Sequence, residues 1–243
     1  THGLHLDNKR GIYPYRDWVV YAFNSNLRMD EFITWQLAGD LLPKPTLQQR
    51  VATGFVRMNP TTAEGGAIPL EFQAKNNFDR TETLGTVLLG MTLTCARCHT
   101  HKYDPIPQTE YYQLLAFFNS TAENSMDGNS YTYAPVIKAP SSQQAWISWN
   151  KLNADGEKLL AGIEKATATA LEAKDANKWK TGSLKDRLLL LATAGISPAK
   201  EEAKKIADAL AKSAGGFTTT LVAKDLGKPR VTRVLRRGEY NQP

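Results

Sequence analysis

The chain is poor in cysteine, histidine and methionine. Among 243 residues there are two cysteines, four histidines and four methionines. Two cysteines exclude a disulfide framework. They stand two residues apart, so a structural disulfide between them would close a small, strained loop. No apolar run approaches the roughly 18 residues that a transmembrane helix needs. No helix-turn-helix or ribonucleoprotein motif accompanies the net charge of +6, and the basic residues are spread out. The densest cluster, Lys228, Arg230, Arg233, Arg236 and Arg237, lies at the extreme C-terminus. Nucleic acid is therefore not an expected partner. The chain starts "THGLHLDN" and ends "GEYNQP", with no initiator methionine and no signal peptide, and reads as an interior piece of a longer protein.

What is there is mostly helical pattern. Trp18, Val19, Ala22 and Phe23 are spaced for a helix over 13–24, with Pro14 near its start. Residues 29–42 give a second helix, capped by Asp30 and stopped by Pro43. Thr46 caps a third over 46–58. Residues 59–69 read as loop. Residues 70–98 read as two helices, the second including "TVLLGMTLTC". Residues 109–120 form an amphipathic helix with Leu114, Leu115, Phe117 and Phe118 toward a core. Near residue 135 the composition shifts through a Pro/Ser-containing linker. Residues 143–214 are rich in Ala, Lys, Glu and Leu and predict an antiparallel helical hairpin, with Ser183 and Ser197 as caps, Pro198 at a helix start and Gly215 as a stop. Residues 217–237 turn β-like. The expected fold is mainly α: a helical domain over 1–135, a hairpin insert over 136–215 and the start of a further domain over 216–243.

Both cysteines and two histidines fall in "TCARCHTHKYDP", residues 94–105. Cys95-Ala96-Arg97-Cys98-His99 is CxxCH, the pattern of c-type haem attachment. Two thiols at this spacing add to the two vinyl groups of one haem, and the next histidine reaches the iron. Other readings compete. A zinc site wants four ligands, and Cys95, Cys98, His99 and His101 are crowded for tetrahedral closure. A thioredoxin-like pair wants a strand before the motif and a helix after it. Two structural cysteines beside an unrelated histidine are the plain alternative.

The remaining candidates are single residues. His99 is the expected proximal iron ligand, and Met58, His5 or His2 the candidate distal ligand, since a sixth ligand is normally His or Met. Lys102 is a candidate partner for a haem propionate. His101, Glu64 and Asp104 are candidate acid/base groups. Asp127 and Asn129 surround a turn glycine, with fewer acids than a calcium loop carries. Trp18, Phe55 and Phe117 are candidates to bury the ring. For Asp79, Arg80 and Glu82 ion pairing is the default reading.

Several strings, "YPYRDWVVYAFN", "QLAGDLLP", "EGGAI", "DRTETLGTVLLGMTLTCARCHTHKYDPI" and "YYQLLAFFN", together resemble the cytochrome-c-like domain, itself of unknown function, in large secreted proteins of planctomycetes and verrucomicrobia. The resemblance covers about residues 1–130. The tail "KPRVTRVLRRGEYNQP" resembles the opening of the second conserved domain of those proteins, and 136–215 resembles nothing named. The resemblance implies one haem c on Cys95, Cys98 and His99, with His101 and Lys102 following. It implies a periplasmic or cell-surface location and other cytochrome domains or a redox partner. By association it implies carbohydrate breakdown.

Overall fold

The computed structural model describes residues 10–62, 64–126, 134–194 and 199–243. His2, His5, Asp127, Asn129, Ser197 and Pro198 lie outside the described residues. The protein is mainly α, with one two-stranded sheet among the described residues.

The chain divides into two compact units, each made of separate stretches. Of the described residues, the first holds 10–15, 27–62, 64–126, 134–137 and 220–243. Most of α1 (Tyr13–Asn24) belongs to the second unit. α2 (Met29–Ala38) begins after Arg28, which offers no side-chain cap. Asp30 sits inside the first turn, held by the Arg28 guanidinium at 2.7 and 3.1 Å, and so does not cap the helix as expected. α3 (Leu47–Ala52) has the expected cap at Thr46, completed by Gln49 into a capping box, and tightens into a 3₁₀ turn over Thr53–Arg57. α4 (Pro69–Leu84) starts on a proline, whose missing N–H loses nothing there. α5 (Gln108–Asn119) turns Tyr111, Tyr112, Leu115 and Phe118 inward. Phe117 points the other way and is 76% exposed, because only positions three or four apart share a helix face.

Residues 86–95 do not form the expected second helix. α4 widens into a π turn over Gly85–Leu89, and Gly90 ends it with φ +65°. That left-handed backbone suits glycine. Leu93 then folds back over Gly85, where a Cβ would lie 2.5 Å from Leu93 Cγ. The two glycines thus reverse the chain after α4 and return it against the same helix.

β1 (Val136–Ala139) and β2 (Thr218–Leu221) pair as the two-stranded sheet. Only this short piece of the β-like tail is strand. The second unit holds residues 16–26 and 138–219. Its helices are α6 (Gln143–Ala161), α7 (Lys165–Lys174), α8 (Ala176–Lys180), α9 (Leu184–Ala194) and α10 (Lys200–Gly215). The described residues of 143–214, expected as a hairpin, form these five helices, with a core of Leu160, Leu171, Leu188, Leu191, Ile206 and Leu210. Ser183 caps α9, accepting from the Asp186 N–H at 3.2 Å.

Candidate functional site

Cys95 and Cys98 lie on and just after a single 3₁₀ turn, Thr94–Arg97. The Cys95 carbonyl accepts from the N–H groups of both Cys98 (3.3 Å) and His99 (3.4 Å). This curls the motif so that the thiols and the histidine follow one another round one bend. Both thiols are free and exposed, as is His99. Ala96 points the opposite way and is fully buried in a core with Phe78, Leu93, Ile106, Tyr111 and Leu115. One small apolar side chain therefore anchors the turn, and its polar neighbours face outward.

Glu82 on α4 ties this turn to two helices. One of its oxygens accepts from the Tyr111 hydroxyl at 3.0 Å and lies 3.4 Å from the Arg97 guanidinium. The other accepts from the Thr94 hydroxyl at 3.1 Å. Arg97 also covers the Phe78 ring, with its guanidinium carbon 4.9 Å from the centroid. Burial, and then the Glu82 carboxylate, push the Tyr111 hydroxyl far above its usual range, so it stays a donor to Glu82. Tyr112 is pushed up to about 12, chiefly by burial. Its hydroxyl donates to the Arg97 carbonyl at 2.9 Å.

The two histidines take opposite tautomers. His99 Nδ1 lies 2.7 Å from the Thr100 carbonyl. A carbonyl only accepts, so Nδ1 carries the proton and the neutral ring keeps a bare Nε2 lone pair. His101 Nδ1 instead accepts the Asp104 N–H at 2.9 Å, so its proton sits on Nε2. The Asp104 carboxylate, 3.3 Å from the same Nδ1, has no proton to share until the ring is charged. The His101 side chain is only 9% exposed and organises the loop, whose ends are closed by the His101 N–H on the Ile106 carbonyl at 2.9 Å.

A second stretch of sequence reaches the motif. The Cys98 thiol donates to the Arg237 carbonyl at 3.2 Å. Gly238 packs so closely that a Cβ there would lie 3.3 Å from Cys98 Sγ and 3.0 Å from Arg97 Cγ. Gln108, at the start of α5, bonds the Arg97 carbonyl at 3.1 Å and the Leu235 carbonyl at 3.5 Å. These tail contacts carry no motif, because they use backbone atoms and the absence of a side chain.

The other expected residues are more scattered. Glu64 is exposed beside the turn at Gly65 and Gly66 and is not among the partners of His101. Lys102 is exposed, its amine 5.0 Å from the Tyr103 ring. Met58 lines a pocket with Tyr15, Phe55, Pro60, Asp79 and Thr83, and no residue of 95–99 belongs to its walls. Trp18 is fully buried. Among the described residues, no three His, Cys, Asp or Glu side chains come together as a metal site.

The donor set fits a covalently attached haem in type: two free, exposed thiols on one turn and one imidazole whose Nδ1–H is held by its neighbour's carbonyl, leaving Nε2 unprotonated. No curated protein and no solved structure matches the chain. The family described as PSCyt2, protein of unknown function (DUF1549), matches residues 1–123, which include the whole motif from Thr94 to Asp104. That match spans more than half of the 243 residues, and the chain belongs to this family.

Proposed function

We propose that this chain carries one haem c at residues 95–99 and serves as an electron-transfer domain of a periplasmic or cell-surface protein. When bound, the haem supplies one-electron exchange at iron. Cys95 and Cys98 hold it as thioethers, and His99 offers Nε2 as the proximal ligand. The observation that carries this reading is the 2.7 Å contact between His99 Nδ1 and the Thr100 carbonyl, which assigns the proton to Nδ1. That Nδ1–H is committed to Thr100, so the nitrogen left bare is the one that projects from the ring toward a ligand. His101, in the opposite tautomer, presents N–H instead. Thr94, Arg97 and Tyr111 around Glu82 keep the turn in place, as a redox site that must not reorganise requires. The resemblance noted above supports the compartment and a redox partner in the same or another chain. It also supports the alternative of an oxidoreductase acting on a carbohydrate or other substrate, with His101 and Asp104 as its proton-handling pair across their 3.3 Å contact.

The test is the absorption spectrum of protein made in a host that attaches c-type haem, before and after reduction, then a pyridine haemochrome assay after acid–acetone extraction. A c-type band that stays with the polypeptide is the expected result, lost in the Cys95→Ser/Cys98→Ser double variant. Absence of any haem band sinks both redox readings. A high-spin ferric spectrum favours the oxidoreductase over simple electron transfer.

A further inference from the structure

The pocket that takes Met58 is built for something other than the motif. It has a volume of about 370 Å³ and is walled by Tyr15, Phe55, Met58, Pro60, Asp79 and Thr83, with Val56, Asn59 and Arg80 completing it. This is within the range of small-molecule sites. The chemistry open to a ligand follows from asking which polar groups there are already used. The Arg80 side chain is 2% exposed, and four of its five N–H donors are already used. It donates to Asn59 Oδ1 at 2.8 and 3.1 Å and to Thr121 Oγ1 at 3.0 Å, and is paired with Glu123. Asn59 is spent as well: its Oδ1 serves Arg80, its Nδ2 donates to the Pro60 carbonyl at 3.0 Å, and its own carbonyl accepts from Arg10 at 3.2 Å. The Tyr15 hydroxyl donates to Gln36 Oε1 at 2.6 Å.

Two polar side chains are left over. The Asp79 carboxylate is half-buried and has no hydrogen bond or salt bridge among the described residues, and the Thr83 hydroxyl has no partner among them either. They stand four apart on α4, on one face of the helix. The open chemistry is thus one unneutralised carboxylate and one hydroxyl, against walls of two aromatic rings, a thioether and a proline. The positive charge of Arg80 is already offset by Glu123 and buried behind the wall. With Arg80 buried and offset, the set favours a cation over an anion.

We propose that this pocket binds a small organic cation, a primary ammonium on a short apolar body, with the ammonium on Asp79 and Thr83 and the body against Phe55, Met58 and Pro60. Asp79 supplies the charge, and Thr83 accepts a second N–H. The Asp79 carboxylate is half-buried, and the cation that acts on it, Arg80, is shared with Glu123 and makes no contact with it; a ligand that brings a charge of its own relieves the cost of that burial. Burial raises the Asp79 carboxyl above its usual range, with the Arg80 guanidinium opposing and the Glu82 carboxylate adding to the rise. Acidification should therefore abolish binding at a higher pH than an ordinary aspartate would. The site stands independently of the haem reading, since no wall residue belongs to 95–99.

The experiment titrates the full chain, near neutral pH and at low salt, with n-butylammonium chloride and separately with n-butanol, following amide shifts by NMR. Saturable shifts centred on residues 55–60 and 79–83 are expected for butylammonium and not for butanol. Asp79→Asn should weaken butylammonium about tenfold or more, the loss expected for one charge-assisted hydrogen bond. Thr83→Val should weaken it about fivefold. Asp79→Asn should melt no lower than the parent, which separates lost binding from lost folding. Equal binding of butanol, unchanged affinity in Asp79→Asn, shifts centred on residues 95–104, or no saturable binding would each overturn the proposal.

Discussion

At the scale of single residues, one carboxylate, Glu82, holds the turn that carries the motif. Cys95, Cys98 and His99 announce themselves by spacing. Glu82 reads in sequence as one more helical acid with a basic neighbour, yet it turns away from Arg80 and takes Thr94, Arg97 and Tyr111 as partners. Those contacts span 12 to 29 positions, and no local pattern encodes them. Glu82→Ala leaves the buried Tyr111 hydroxyl without its acceptor and frees the Thr94–Arg97 turn. A loss of about 1–3 kcal/mol is expected, read as a lower urea midpoint. The same variant should raise the rate at which Cys95 and Cys98 react with an aromatic disulfide reagent in the haem-free protein. Tyr111→Phe should cost less than Glu82→Ala, because it removes only one of the three partners and fills the same space.

Elements were legible where one apolar face runs unbroken. α1, α3 and α5 fall where the spacing of Trp18 and Ala22, the Thr46 cap, and Leu115 with Phe118 put them. The stretch after α4 was not, because "TVLLGMTLTC" has helical composition while its conformation is set by what passes nearby. Gly85 is the point of closest approach, with Leu93 lying where a Cβ would be, and Gly90 supplies a backbone angle other residues resist. Gly85→Ala forces Leu93 outward and shifts the turn that carries both cysteines. Overpacking of this kind costs about 1–3 kcal/mol. Calorimetry should show it as a clear fall in melting temperature, and haem incorporation, where it occurs, should fall with it. Thr46→Ala is the comparison at a helix end far from the motif in sequence. It removes a capping box for about 1 kcal/mol and should leave cysteine reactivity unchanged. If the two variants changed reactivity equally, Gly85 would have no special part in placing the turn.

At the scale of the molecule, the sequence reads as segments in succession, whereas the structure gathers separate stretches. Residues 220–243 join the unit that carries the motif. They do so through backbone carbonyls: Val222 accepts from Arg57 at 2.9 Å, Leu235 from Gln108, and Arg237 from the Cys98 thiol. Carbonyls are the same at every residue, so the joining left no trace in composition. The buried charges of this unit make its stability depend on pH in two opposed ways. Asp40, Asp79 and Asp225 all have raised carboxyls. Burial is the main cause in each, and at Asp225 the nearby Asp40 and Glu123 carboxylates add to it. Their charges weigh against folding at neutral pH, and the folded protein takes up protons on them before the unfolded chain does, so stability should rise as pH falls toward their folded values. Glu123 runs the other way. Burial pushes it up, but Arg80 first and Arg57 next, with hydrogen bonds from Thr121 and Arg80, hold it below the usual range. Its contribution is present above the unfolded carboxyl value of about 4.3 and is lost as pH falls through the lower folded value. Urea midpoints measured across pH should therefore pass through a maximum between the raised aspartate values and the lowered Glu123 value, on the acid side of neutrality, and then fall steeply. Glu123→Gln, which strands Arg80 in the interior, should lower stability at neutral pH by about 3–5 kcal/mol and flatten the acid limb. Asp79→Asn should flatten the neutral limb instead. A profile that fell steadily from neutrality, or an acid limb unchanged in Glu123→Gln, would mean that the Arg80–Glu123 pair does not govern how this fold answers acid.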